Sequence, residues 1–247
     1  MHSTNIQLSY VVPVYFNQQN AHTLTDLLLH YAAYAREVTE HIQFVIVDDC
    51  SPLPIEIPPA IKLNISLFRI QSDIRWNQCG ARNLGVVYAK SPRILLTDSD
   101  HCFPEKLLKD ILNSRIPKKT IYKFKRINQH GLAMGKNINI FYTSKAVFFQ
   151  ALGYDEEFSG NYGYEDVYFN ELQRRLGNSV RYFTRFKKIV ATEVDRESSY
   201  HSLQRDTVIN EALYKKKMEL LQEKDPFVSH SRRFLQFDWR LVWERAV

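Results

Sequence analysis

The feature that most constrains this chain is the alternation of short apolar runs with helical patterns in its N-terminal part. Residues 7–14 (QLSYVVPV) and 44–47 (FVIV) are apolar, rich in β-branched side chains and too short for buried helices, which marks them as buried strands. Pro13, near the end of the first run, suits a strand emptying into a loop. Between the runs, Leu24, Leu27, Leu28, Tyr31 and Ala35 recur at helical spacing and form one apolar stripe. Strand, crossover helix and strand pair in parallel, so a parallel sheet with helices on both faces is expected.

The pattern continues downstream. The Pro-rich stretch SPLPIEIPPA reads as an irregular connector, residues 65–70 as a third strand, 79–89 as a helix carrying Leu84, Val87 and Tyr88, and 93–97 as a fourth strand. A helix is expected from Pro104, strands near 121–124 and 139–142, a helix over 165–176 stopped by Gly177, and a strand near 180–183. From Asp206 onward the chain reads as one or two helices closing with FLQFDWRLVWERAV. The expected fold class is α/β: a Rossmann-like, mainly parallel sheet flanked by helices, with a C-terminal helical extension. At 247 residues the chain fits one such domain over 1–205 and the extension over 206–247.

Sheets of this kind bind ligands beyond the carboxyl ends of their strands, and two acidic clusters fall at such ends. Asp98 and Asp100, flanking Ser99, can face one cation across a turn; their oxygens suit Mg²⁺ or Mn²⁺, which in turn hold phosphates. The same tripeptide is also a good turn and cap ahead of Pro104. Asp48 and Asp49 can accept hydrogen bonds from a base imide or a ribose hydroxyl, or simply shape the turn DDCSP. Gly80, Arg82 and Asn83 open a helix, where backbone N–H groups and a guanidinium would seat a phosphate; an ordinary helix start with a solvated arginine is the plainer alternative. In GNYGYEDVYF, residues 160–169, Glu165 and Asp166 stand at a helix start. An acid there caps the helix, or takes a proton from an attacking hydroxyl beside aromatics that cradle a sugar ring. His201, in ESSYHSLQ, is a lone histidine, structural or ligating.

Subtracting 27 acidic from 33 basic side chains leaves +6, which permits nucleotides, phospholipids or nucleic acid as partners without choosing among them. No RRM, KH or helix-turn-helix signature accompanies that charge, so nucleic acid is not expected. Cys50, Cys79 and Cys102 lie far apart with no CxxC pair, so neither a disulfide framework nor a cysteine zinc site is supported, and a reducing compartment fits best. The N-terminus lacks a basic and apolar leader, and no apolar stretch approaches the roughly 18 residues of a membrane span. A cytoplasmic protein is expected, with at most peripheral contact at the inner face of a membrane.

Taken in order, VVPVYFNQ (11–18), VIVDDCSP (45–52), GARNLG (80–85), LLTDSD (95–100) and GYEDVYF (163–169) closely resemble the family 2 glycosyltransferases of the GT-A fold, over about residues 7–185. The resemblance implies an inverting enzyme that moves a sugar from a nucleotide-diphospho-sugar to a glycan or lipid-linked saccharide. UDP is the first expectation for the nucleotide, with GDP and dTDP as alternatives. It implies a donor half of about residues 1–102 and an acceptor half of about 103–205. By that likeness Pro13, Val14 and Tyr15 would line the base pocket, Asp49 would meet the base with Asp48 nearby, and Arg82 would approach the base or phosphates. Asp98 and Ser99 would sit at the nucleotide-sugar, and Asp100, with Asp98 and His201, would hold Mn²⁺ or Mg²⁺. Asp166 would be the general base and Glu165 its neighbour. Cys50 stands where the family often has glycine; its Cβ tolerates a left-handed turn poorly, so a different loop geometry is expected. A non-catalytic glycan-binding or scaffold protein of the same fold is the alternative from another class, and the intact DSD and ED pairs argue against it.

No acidic residue lies between Asp110 and Asp155, where Arg115, Lys118, Lys119, Lys123, Lys125, Arg126, Lys136 and Lys145 occur. The plain reading is a solvated face, and the functional one is a surface for an anionic acceptor or a membrane. The tail from Ser229 mixes Phe234, Leu235, Phe237, Trp239, Leu241, Val242 and Trp243 with arginines. A helix packed on the catalytic domain is the default there, and a membrane or dimer contact the alternative.

Overall fold

The computed structural model describes residues 5–16, 22–135, 138–184, 187–192 and 205–247. The first strand, β1 (Leu8–Val14), pairs in parallel with β2 (Ile42–Asp48) from Leu8 against Ile42 to Val14 against Asp48, and β2 pairs in parallel with β3 (Asn64–Ile70). The chain then crosses through α3 (Gln78–Val87) to β4 (Arg93–Leu96), which lies in parallel on the other side of β1. The direction of winding therefore reverses at β1, and a crevice opens beyond the carboxyl ends of β1 and β4.

Side chains alternate across β1. Tyr10 and Val12 join a core with α1 (His22–Ala32), α2 (Arg36–Thr39) and α4 (Glu105–Asn113), whereas Val11 joins the opposite core with α3, α5 (Lys145–Gln150) and α6 (Glu165–Arg175). Gly85 is required where α3 crosses β1: a Cβ there would stand 2.4 Å from Val11 Cγ1. The sheet is completed by β6 (Thr120–Lys123), β8 (Phe141–Ser144) and β9 (Ser179–Tyr182), in the order β4-β8-β6-β9. β8 runs antiparallel to both neighbours, so the sheet is mostly rather than wholly parallel.

A second, three-stranded sheet was not expected. It combines β5 (His101–Cys102), β7 (Lys125–Asn128) and β10 (Lys188–Ala191), which are too short or too polar to show a pattern in sequence. It fixes the segment after Asp100, whose carbonyl also accepts from Thr192 N at 2.8 Å. Cys50 corrects another expectation: it adopts the left-handed turn despite its Cβ, at φ 61°, with its thiol 3.7 Å from the Gln71 carbonyl.

The C-terminal reading also needs correction. Helix α7 (Val208–Leu220) is present, but the tail is a strand, β11 (Trp239–Arg245), antiparallel to the outer edge of β3. Left-handed backbone at Arg232 and Leu235 rules out a continuous helix, and the aromatic and β-branched run that follows covers an otherwise open sheet edge. Trp239 packs on one core and Trp243 on the other, while Leu241 and Val242 remain exposed. Among the described residues no helix is long and apolar enough to cross a membrane.

Two buried polar side chains anchor α7. Asn210 Nδ2 donates to the carbonyls of Phe158, Asn161 and Gly163, within 2.9–3.1 Å, and so holds the loop ahead of α6. Lys217 donates to Asp155 Oδ2 (2.7 Å), Glu157 Oε2 (2.6 Å) and the Ser229 carbonyl (3.0 Å). Replacing Lys217 with Met should therefore lower the unfolding free energy by about 3–5 kcal/mol, because Asp155 stays buried without its cation. Urea unfolding measures this, and a loss below about 1 kcal/mol would show that the anchor contributes little.

Candidate active site

Several chain segments meet at the crevice, and a fully buried guanidinium joins three of them. Arg82, on α3, donates from Nη1 to Asp166 Oδ1 at 2.7 Å and from Nη2 to Asp98 Oδ1 at 2.9 Å. Tyr154 donates its hydroxyl to the same Asp166 oxygen at 2.6 Å, and Asn139 Nδ2 donates to Asp98 Oδ2 at 3.1 Å. Burial works against the charge on Arg82, but Asp166, Tyr154 and Asp98 outweigh it and hold the guanidinium firmly protonated. Burial raises the Asp98 carboxyl above its usual range, with Arg82 opposing the rise.

Asp98, Asn139 and Asp166 of this cluster line a cleft of about 370 Å³, with Arg82 and Tyr154 behind them. Tyr162, Gly163, Tyr164 and Glu165 form one side, and Trp76, whose ring lies 4.8 Å from that of Tyr162, narrows it. Tyr164 has left-handed backbone at φ 69°, which turns the chain sharply into α6 and sets Glu165 and Asp166 side by side at its start. Burial, reinforced by the neighbouring Asp166 charge, pushes Glu165 up to about 7. Asp100 and His101 also line the cleft, joined through Asp100 Oδ1 and His101 Nδ1 at 2.6 Å, with Arg126 Nη1 3.4 Å from His101 Nε2.

The other expected residues divide. Asp49 is buried at the end of β2 and accepts from Asn77 Nδ2 at 3.3 Å; Asn77 Oδ1 in turn accepts from Ser159 Oγ at 2.9 Å. Burial pushes the Asp49 carboxyl up to about 8. Tyr15 stands close enough to Asp73 and Asp49 for their charges to add to burial in raising its hydroxyl. Pro13 and Val14 lead into this corner, Val14 accepting from Asp49 N at 2.9 Å. Asp48, by contrast, is committed to scaffolding through Arg69 Nη1 (2.7 Å) and Ser51 N (2.9 Å). Ser99 does not line the cleft; it borders a separate cavity with Thr23, His30 and Tyr34. Arg82, expected at the base or phosphates, is sequestered among acids instead. His201 lies outside the described residues. No motif spacing marks Tyr154 or Asn139: Tyr154 enters through the packing of the 151–166 segment on α3 and Asn139 through its contact with Asp98, while Asn77, which opens α3 ahead of Gly80 and Arg82, meets Asp49 rather than a free helix start.

The divalent-metal expectation rests mainly on Asp100, a partly exposed carboxylate at the cleft. Both oxygens of Asp98 already accept hydrogen bonds, and among the described residues no group of three acidic, histidine or cysteine side chains could enclose a cation. One carboxylate completed by diphosphate oxygens and water suits Mg²⁺ or Mn²⁺, so the residues present fit such an ion only together with a phosphate-bearing ligand.

The raised Asp49 pKa has a stability consequence. The unfolded chain releases this proton near pH 4 and the folded chain only near 8, so the wild type loses stability as pH rises between those values. Asp49→Asn, which does not titrate, should melt at a progressively higher temperature relative to wild type as pH rises from about 4.5 to about 8.5; a constant difference would contradict the assignment.

The profile of glycosyl transferase family 2 matches residues 9–198. TarS 1–349 of S. aureus in complex with UDP-GlcNAc is similar in fold, with TM-score 0.62 and 16% identity over 91% of this chain and 69% of that one. The mannosyltransferase PcManGT of Pyrobaculum calidifontis in complex with GDP-Man and Mn²⁺ gives TM-score 0.57 and 15% identity over 91% and 68%. No curated protein sequence matches the chain. The profile spans most of the chain and the strand-end acids stand where the topology opens its crevice; the protein belongs to the family 2 glycosyltransferases.

Proposed function

We propose that this enzyme transfers a sugar from a nucleotide-diphospho-sugar, a UDP-sugar first, to a saccharide acceptor with inversion at the anomeric carbon, and that Asp166 is the general base. The observation that carries this reading is the one-sided clamp on Asp166. Arg82 and Tyr154 both donate to Oδ1, which fixes the carboxylate and directs Oδ2 as the remaining proton acceptor. A base held in this way needs no reorientation when the acceptor hydroxyl arrives.

The corner of Tyr15, Asp49 and Asn77 offers hydrogen-bond partners for a base edge, with the donor's diphosphate directed toward Asp100. A divalent ion held by Asp100 would offset charge on the departing nucleotide. Displacement by a hydroxyl activated from the opposite side inverts the centre. TarS bound to UDP-GlcNAc and PcManGT bound to GDP-Man and Mn²⁺ support the donor class and the metal by likeness of fold. The donor half of about 1–102 and acceptor half of about 103–205 fit this division, with Arg82 linking the two.

Calorimetric titration with UDP, GDP and dTDP, each with and without Mn²⁺, tests the donor reading. One nucleotide should bind in a metal-dependent way that Asp100→Ala abolishes; binding of none would favour a non-catalytic role. Asp166→Asn should abolish transfer while leaving nucleotide affinity nearly intact, and equal loss of both would remove it as the base. Tyr154→Phe deletes one of two donors to Oδ1 and should lower kcat about 10- to 100-fold with the donor KM unchanged. A change confined to KM would show that Tyr154 does not position the base.

A further inference from the structure

The basic run between Asp110 and Asp155 does not form one surface. Lys145 is spent on the carbonyls of Val87 and Ala89, while Lys123 turns inward and lines a pocket of about 390 Å³ beside the catalytic cleft. Asn170, Glu171 and Arg174 supply one wall from the face of α6 that follows Asp166, and Arg181 of β9 also lines it. Ile138 borders both this pocket and the cleft, so the two spaces adjoin.

We infer that this pocket is an acceptor subsite for an anionic group, a phosphate or carboxylate carried by the saccharide whose hydroxyl meets Asp166. The inference rests on the proposed transferase reading. Three cationic side chains stand against one carboxylate, and Glu171 is already paired with Arg174. Lys123 and Arg181 form no ion pair among the described residues. Lys123 is 7% exposed, donates to the Ile138 carbonyl and has its ammonium 4.6 Å from the centre of the Phe141 ring. Burial pushes its pKa down to about 7, with Asp166 opposing the shift. A buried ammonium without a carboxylate is costly, and an arriving anion relieves that cost.

Asn170 supplies an independent sign. It is 4% exposed and donates to the Asp166 carbonyl at 2.6 Å, while its Oδ1 finds no hydrogen-bond partner among the described residues. An unpaired buried acceptor near Lys123 and Arg181, which form no ion pair among the described residues, matches a ligand that carries both hydroxyl and anionic groups. At roughly 1.5 Å per residue, Asn170 and Arg174 lie about 6 and 12 Å along the helix from Asp166. The anion therefore belongs on the sugar that is glycosylated or on its immediate neighbour.

The test titrates glucose 6-phosphate, glucuronate and glucose, by calorimetry, into the protein saturated with UDP and Mn²⁺ so that the donor corner is occupied. At least one anionic sugar should bind ten times or more tighter than glucose, and which one binds tells a phosphate subsite from a carboxylate subsite. Arg181→Gln, at an exposed position, should reduce that preference severalfold, and Lys123→Met should bring it near to that of glucose. Equal affinity for the three sugars, or a preference unchanged in Arg181→Gln, would overturn the subsite even if Lys123→Met fails to fold. The preceding UDP titration separates the two readings. UDP binding without discrimination among the sugars overturns the subsite alone, whereas failure of UDP to bind overturns the donor reading.

Discussion

A guanidinium with no exposed surface organises the candidate active site. Arg82 is tolerated in the interior because Asp98 and Asp166 each accept one of its N–H groups, and neither acid would be stable there without it. Each partner comes from a different element: α3, the end of β4 and the start of α6. Bringing these three elements together and placing the Asp166 carboxylate are thus the same event. Removing the arginine would leave two carboxylates facing each other in a poorly solvated space, a destabilisation on the order of 3–5 kcal/mol.

The C-terminal segment extends this logic outward. Asn210 collects three loop carbonyls just ahead of Glu165, and Lys217 locks the neighbouring Asp155 and Glu157. Leu235 N and Asn83 Nδ2 both donate to Glu156 Oε1, so the segment leading to β11 is tied to α3 next to Arg82. The cleft wall is therefore shaped by residues remote from it in sequence. β11 adds a separate function by covering the edge of β3.

Much of the architecture was legible because its signals are local. Buried parallel strands show as short apolar runs, and the acids at their ends gain meaning once the strands are placed, as with Asp49 and Asp98. What could not be read depends on contacts across long separations. Nothing around Arg82 indicates that its partners are 16 and 84 residues away. Tyr154 sits in an unremarkable stretch, and Lys123 in a basic run whose members turn out to face different environments. The tail was misread because aromatic and arginine residues fit a surface helix as well as an edge strand; the waiting edge of β3 decided between them. Cys50 shows that a left-handed turn can be imposed by its surroundings on a residue that does not favour it.

The central claim is that Asp166 acts from the side of the sugar opposite the departing diphosphate. Proton NMR of the anomeric centre in the first-formed product tests it most directly, with water or a saccharide as the incoming group. The account predicts product of opposite anomeric configuration to the donor before any mutarotation. Product that retains the donor's configuration would contradict it, because a single clamped base and direct displacement cannot preserve the centre.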